Sequence, residues 1–439
     1  MVMANLSSRW STGGQKMDSI SLVSWAVMLL FWATLSSEGI FEIMGQIKGQ
    51  IIILGIWIIT LIFFGRNALT VAYQRIIAHS LDLLLLSMFT IVNVLHLLFG
   101  NGDMAYDNFV KSLILLCLYT TVLVHLKNSI KAYNRSVIFL LIIYGLNAIY
   151  VTPILFSYPF IAKLYDFGTG EITWFGSWGF FMSFAVSIPC FIAVASRQKW
   201  LFRIFLYVMC ISISLMIIIS TFAASIILLF AGFAGLLFFS IKKKVKFILI
   251  CSFIFLLITL CIKFYDFSEQ PQIGAMAEKI GTIFTYQAEL PTDENDPRIR
   301  ATLMKVSINS FLEHPFFGVG LYGPREDGKN VVGLHSGIMD SLAQYGLFGS
   351  MWYFGFIFIA FRRLIIYLRS NPNSLIDQAR LITLFIFLMG AMANPALIET
   401  PFCTLVFILA LSPVRFETAS VKSFMQNDNL KLDNNVSIV

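Results

Sequence analysis

Arg298, Arg300, Arg325 and His335 lie around a run of glycines in the stretch between residues 296 and 349. An imidazole can take a proton from a hydroxyl near neutral pH, and a guanidinium fork holds phosphate oxygens in pairs without losing its charge. Between these side chains, "HPFFGVGLYGP" places Pro315, Gly318, Gly320, Gly323 and Pro324 where tight turns bring backbone N–H groups close to a bound group. A glycine-rich turn alone says little. Flanked by arginines and a histidine, it reads as an anion site beside a proton acceptor. Each residue also has an ordinary reading: Arg300 as a basic residue on an exposed helix, His335 as an interfacial histidine at a helix start, and His314, before Pro315, as a helix-terminal cation.

Two elements must position these groups. Asp296-Pro297 is a helix start, with Asp as N-cap and Pro at the first helical position. Ala301, Met304, Ile308, Phe311 and Leu312 then recur at helical spacing until Pro315, which predicts an amphipathic helix lying on a membrane surface with Arg298 and Arg300 in its first turns. His335-Ser336 opens a long apolar run. On an unbroken helix Gly346 and Gly349 fall on nearly the same face as His335, forming a small-residue groove for a neighbouring helix or a polyprenyl chain.

The rest of the chain is a setting for lipid. Of 439 residues, 58% are hydrophobic and only 13% charged, with a mean hydropathy of +0.81, too little polar material to coat a water-soluble globule. The expected fold class is all-α, a polytopic membrane protein with about twelve transmembrane helices and one large external loop containing the amphipathic helix. Apolar runs fall near 18–36, 47–65, 77–99, 108–126, 136–157, 174–195, 201–219, 222–240, 247–264, 338–361, 380–396 and 399–414. This divides the chain into spans one to nine (1–265), the external loop (266–335), spans ten to twelve (336–415) and a tail (416–439).

Lys and Arg cluster in alternate connections: Arg66 and Arg75; Lys127, Lys131 and Arg135; Arg197, Lys199 and Arg203; "KKKVK" at 242–246; Arg362 and Arg363. The positive-inside rule makes these connections and both termini cytoplasmic and turns the 266–335 loop outward. The polar first residues read as a retained N-terminus rather than a cleaved signal. The net charge of +7 follows from the same bias, and no basic domain supports nucleic-acid binding. The six cysteines fall within predicted spans and read as packing residues. Asp82 and His79, at the inner end of the third span, read as a structural pairing with Arg75, and Asn93 and His96 near its outer end as packing polars.

The stretch from 300 to 352 resembles the bacterial O-antigen polymerase and O-antigen ligase superfamily, the Wzy-type enzymes. "EHPFFGVGLYGP" is similar to that family's Pro-x-x-Gly-x-Gly turn; Arg300 followed by Met304 resembles its Arg-x-x-x-bulky helix start; His335-Ser336, nine residues and then Gly346-Leu-Phe-Gly349 resembles its histidine signature. There are two departures. "ISTFAASIILL", with Ser220 and Thr221, stands where many members carry a Ser-Arg-Gly-like element, so Arg298 is the candidate second positive charge, and Trp352 replaces a third glycine.

The resemblance implies a membrane glycosyltransferase of the bacterial cytoplasmic (inner) membrane, acting on its outer face with a polyprenyl-diphosphate-linked oligosaccharide as donor. His335 would activate the acceptor hydroxyl and Arg300 would neutralise the diphosphate, with Arg298, Arg325, Gly318, Gly320 and Ser336 in substrate binding. No cofactor and no metal are expected. Partners would be the lipid-linked oligosaccharides, membrane lipid, and the flippase and chain-length regulator of the same pathway. The expected reaction is repeat-unit polymerisation. The alternatives are transfer of finished polymer to lipid A core, by a ligase, and a lipid-linked-sugar flippase or transporter, a class whose repeated halves, with helices broken at corresponding places, are not evident here.

Overall fold

The computed structural model describes residues 77, 79–99, 103–126, 130–157, 178–220, 222–241, 297–321, 332–333, 336–394 and 405–412, with backbone alone for 103–104, 107, 121, 124–125, 157, 178–180, 223, 297–301, 321 and 393. The expected spans at 18–36, 47–65 and 247–264, the loop before 297 and the tail after 415 lie outside the described residues.

Every regular element among the described residues is helical. In chain order these are α1 (Ser80–Phe99), α2 (Asp103–Leu126), α3 (Ile130–Ser157), α4 (Trp178–Ala195), α5 (Trp200–Ile219), α6 (Ala223–Ser240), α7 (Pro297–Glu313), a 3-10 turn (Val319–Leu321), α8 (Gly337–Ser370), α9 (Leu375–Ala393) and a π turn (Phe407–Leu411). Five of them, α1, α3, α5, α8 and α9, are long and apolar enough to cross a membrane. Large apolar side chains stay exposed along the bundle's flanks, among them Leu84, Ile91, Phe205, Ile211, Phe358 and Phe385, as suits a surface solvated by lipid.

Helices α2 and α8 run antiparallel to α1. At one end of the bundle, Asp82 near the start of α1 accepts hydrogen bonds from Tyr119 near the end of α2 and from Arg363 in the last third of α8, with His79 3.5 Å away. The expected pairing of Asp82 is therefore real, but its arginine is Arg363; Arg75 lies outside the described residues. Sequence distance hid the partner, since the two residues stand 281 positions apart.

A second polar cluster lies among the ends of α3, α4, α9 and the π turn. Arg380, fully buried, donates to Asp377 and to the carbonyls of Ala410 and Ser412, and its guanidinium sits 5.8 Å from the Tyr133 ring centre. Tyr133 donates to the Leu409 carbonyl at 2.7 Å, and Thr383 to the Val186 carbonyl at 2.9 Å. A buried charge survives only where such partners replace its water. Cys117, Cys190 and Cys210 are buried within the helix packing.

Helix α8 departs from expectation. Its 34 residues are two helices, since Gly346 has φ 62° and ψ −170° and breaks the axis. The groove drawn on an unbroken helix from residue 335 through Gly346 and Gly349 is thus not present. Gly349 lies against Val92 of α1, where an added Cβ would approach Cγ1 to 3.0 Å, and the space at Gly346 is filled by the chain's own turn.

Candidate functional site at the junction of α7 and α8

Helix α7 carries Arg298 and Arg300 in its first turn, and it packs along the first segment of α8. The most buried side chains of α7 among the described residues are not the apolar ones. Ser307 and Ser310 are the buried positions, Met304, Ile308 and Phe311 are half-buried, and Leu312 is exposed. Serine suits the centre of this face because it bonds across the interface.

The Ser307 hydroxyl donates to Asp340 Oδ1 at 2.6 Å and accepts the N–H of Gly333 at 2.9 Å. Asp340 is 6% exposed, and its other oxygen accepts the N–H of Ser336 at 2.9 Å. Ser336 is the N-cap of α8: its side chain accepts from Met339 N at 3.4 Å, and its carbonyl accepts from Asp340 N at 2.7 Å. Reciprocal bonds of this kind satisfy the orphan amides of a helix start. The Gly337 N–H reaches the Asn394 carbonyl at 2.8 Å, tying the same point to the end of α9.

Gly333 is constrained as tightly as any residue here. A Cβ at that position would lie 1.9 Å from the Leu303 carbonyl oxygen, so α7 and the segment before α8 touch backbone to backbone. Ser307, Gly333 and Asp340 were not among the sequence candidates. Asp340 had a signal, an acid in the first turn after a serine cap; Ser307 had none, because a serine within an amphipathic helix reads as surface.

Below this link, the turn after α7 closes on the break in α8. His314 N–H donates to the Ser310 carbonyl and Gly318 N–H to the His314 carbonyl, while Leu347 and Phe348 donate to the carbonyls of Pro315 and Phe316 at 2.8 and 2.9 Å. The turn therefore supplies acceptors for the amides that the break at Gly346 deprives of helical partners. Gly318, with φ 69°, lies directly against this backbone: a Cβ there would sit 2.3 Å from the Gln344 carbonyl oxygen. A Cβ on Gly346 would sit 2.4 Å from the Phe316 carbonyl oxygen. The Ser350 hydroxyl bridges the break to the Ser341 carbonyl at 2.9 Å.

Gly320 faces α1. A Cβ there would lie 2.5 Å from His96 Nδ1. The His96 ring stacks on Tyr345 at 5.2 Å, and Tyr345 donates to Asn93 Oδ1 at 3.1 Å, so both polar residues of α1 pack against this junction. The glycines of the turn thus serve first to seat it against α8 and α1.

Of the sequence candidates, Gly318, Gly320 and Ser336 stand in this junction with the contacts given. Arg300 lies on α7 seven residues before Ser307, about 10 Å along the axis, and Arg298 roughly 13 Å. His335 and Arg325 lie outside the described residues. The fold brings together the helix that bears Arg298 and Arg300 and the residues Gly333 and Ser336, which bracket position 335 in the chain. No protein-family model matches this chain, and no curated protein does.

Proposed function

We propose that this protein joins polyprenyl-diphosphate-linked oligosaccharide repeat units into a surface polysaccharide, O-antigen, capsule or exopolysaccharide, at the outer face of the bacterial cytoplasmic membrane. The observation that supports this reading is the Ser307–Asp340–Ser336 link, which holds the arginine-bearing α7 against the start of α8, one residue beyond His335. In the reaction, a hydroxyl of the incoming unit attacks the anomeric carbon of the growing chain. His335 takes the hydroxyl proton as the new glycosidic bond forms. The bond from that carbon to the diphosphate breaks, and the lipid diphosphate leaves with the electron pair.

Arg300 neutralises the charge that grows on the leaving group, with Arg298 and Arg325 as further cationic contacts. Gly318 and Gly320 let the turn sit close enough to α8 to hold this arrangement, and Ser336 fixes the helix start behind the histidine. The reaction as drawn uses no cofactor or metal.

The topology that goes with this reading has about twelve spans, both termini in the cytoplasm and the 266–335 loop outside. The end of the bundle at Asp82 and Arg363 is then the cytoplasmic end and the end at His96 and Gly320 the outer one. Arg197, Arg203 and Arg362 stand at the α4–α5 connection, the start of α5 and the last third of α8, which this reading puts on the cytoplasmic side by the positive-inside rule. The pathway's flippase and chain-length regulator are the expected protein partners.

The test replaces His335 by Ala in the natural host and separates the surface polysaccharide on a gel. A product of one repeat unit supports polymerisation, whereas long polymer left unattached to lipid A core supports the ligase. Ladders of ordinary length, with the variant present in the membrane, overturn both and return the protein to the flippase or transporter class.

A further inference from the structure

Two helices serve as rulers for the depth of the glycine turn. Along α8, Phe348 stands 14 residues before Arg362, an axial rise of about 21 Å. Along α1, His96 stands 14 residues after Asp82, again about 21 Å, and Asp82 is bonded to Arg363 at the level of Arg362. The turn touches both helices at these points: Phe316 through the Phe348 amide, and Gly320 through the His96 ring.

Arg362 is exposed and charged, so it belongs at the boundary of the hydrocarbon or beyond it. The hydrocarbon is roughly 30 Å thick, which leaves the turn about 9 Å short of the opposite boundary. Helix tilt shortens both rulers and sets the turn deeper. Snorkelling of the long Arg362 side chain acts the other way by a few ångströms, too little to bring the turn out.

The side chains agree with that depth. Phe316 is 68% exposed, and Phe317, Leu347, Phe348 and Met351 are also exposed, forming one apolar surface continuous with the exposed flank of α8 at Phe358. The Phe317 and Phe348 rings are 5.7 Å apart, and Phe348 and Trp352 5.9 Å. Non-helical backbone is tolerated within a bilayer only where its polar groups are satisfied by protein. Here the bonds from Leu347, Phe348 and Gly318 to Pro315, Phe316 and His314 do this.

We propose that the turn from Pro315 to Leu321 is a re-entrant element sunk in the leaflet at the His96 end of the bundle, with Phe316 and Phe317 against its lipid acyl chains. This inference does not depend on the reaction proposed above. The contact surface is for bulk lipid, and it places the glycine turn where a membrane-bound molecule meets it sideways rather than from the water.

The experiment uses a nitroxide spin label on cysteine at position 316, in a variant whose six native cysteines are replaced, reconstituted in phosphatidylcholine and phosphatidylglycerol vesicles. Collision rates with oxygen and with a water-soluble nickel chelate are compared with labels at Met351, mid-span on α8, and Lys305, exposed on α7. The oxygen-to-nickel ratio at 316 is expected to lie within threefold of the Met351 value and at least tenfold above the Lys305 value. A ratio at 316 equal to that at Lys305 overturns the proposal. Should the cysteine-free variant not fold, p-benzoylphenylalanine at 316 in the otherwise natural chain gives the same decision by mass spectrometry. Photoadducts with phospholipid are expected there as at Met351, and a lipid adduct at 351 but none at 316 overturns it.

Discussion

Ser307 and Asp340, 33 residues apart in the chain, share a 2.6 Å hydrogen bond inside the contact between α7 and α8. The bond ties a helix with no apolar stripe at its packing centre to the first turn of a broken membrane helix.

Removing either partner is expected to loosen the junction by unequal amounts. Ser307→Ala strands the Gly333 N–H and takes one donor from the Asp340 carboxylate, a loss of about 1–3 kcal/mol. Asp340→Ala leaves the Gly333 N–H on Ser307 but takes the acceptor from both the Ser307 hydroxyl and the Ser336 N–H, and is expected to lower the melting temperature of the detergent-solubilised protein further. The double variant should be little worse than Asp340→Ala, because both changes break one network. Additive losses would show that the two residues act separately.

Gly318→Ala and Gly346→Ala are each expected to cost about 1–2 kcal/mol for the left-handed backbone, and about 1–3 kcal/mol more for the clash of Cβ with a facing carbonyl. Gly355→Ala is the control: its Cβ would meet Leu85 Cδ2 at an ordinary 3.6 Å. Thermal melts of the three variants should separate the first two from the third. Equal melting temperatures would mean that the turn is not held against the break.

Arg363→Ala leaves Asp82 buried without its cation, at a cost of about 3–5 kcal/mol. Asp82→Ala strands the guanidinium in the same way. Replacing both, as Asp82→Asn with Arg363→Met, is expected to recover part of that loss, because no charge is left unpaired. The yield of folded protein by size-exclusion chromatography checks this order, and a double variant worse than both single ones would contradict it.

Arg300→Lys separates a phosphate fork from a mere positive charge. If Arg300 holds the diphosphate bidentately, Lys is expected to lose at least tenfold in polymer made per cell, close to the loss with Ala, while membrane protein levels stay unchanged. Arg298→Ala is expected to reduce polymer less. Full polymer with Arg300→Ala would remove that residue from the chemistry.

The sequence was most readable where the physics is local. Uninterrupted apolar runs bounded by charge placed α1 through α6 and α9 to within about six residues at either end, and Asp296-Pro297 marked the start of α7. The break in α8 was hidden because the apolar run continues through Gly346, and a lone glycine inside such a run signals only a small residue. That this glycine takes a positive φ is decided by the turn pressed against it, 30 residues away. Arg380 was overlooked among its apolar neighbours although Asp377 precedes it at helical spacing; its carbonyl acceptors at 410 and 412 come from a distant segment. Asp82 was readable as a paired acid, while the identity of its arginine depended on how α8 lies against α1.

The Arg380 cluster also bears on the order of assembly. Tyr133 enters the membrane early in synthesis, yet the oxygens that complete its surroundings and those of Arg380 belong to residues 409–412. Until the ribosome has delivered that stretch, a cation and a phenol stand in the bundle without their full set of acceptors. The 405–412 segment therefore works as a keystone, and a chain cut short before residue 405 should be cleared by membrane proteases even with the helices before it formed.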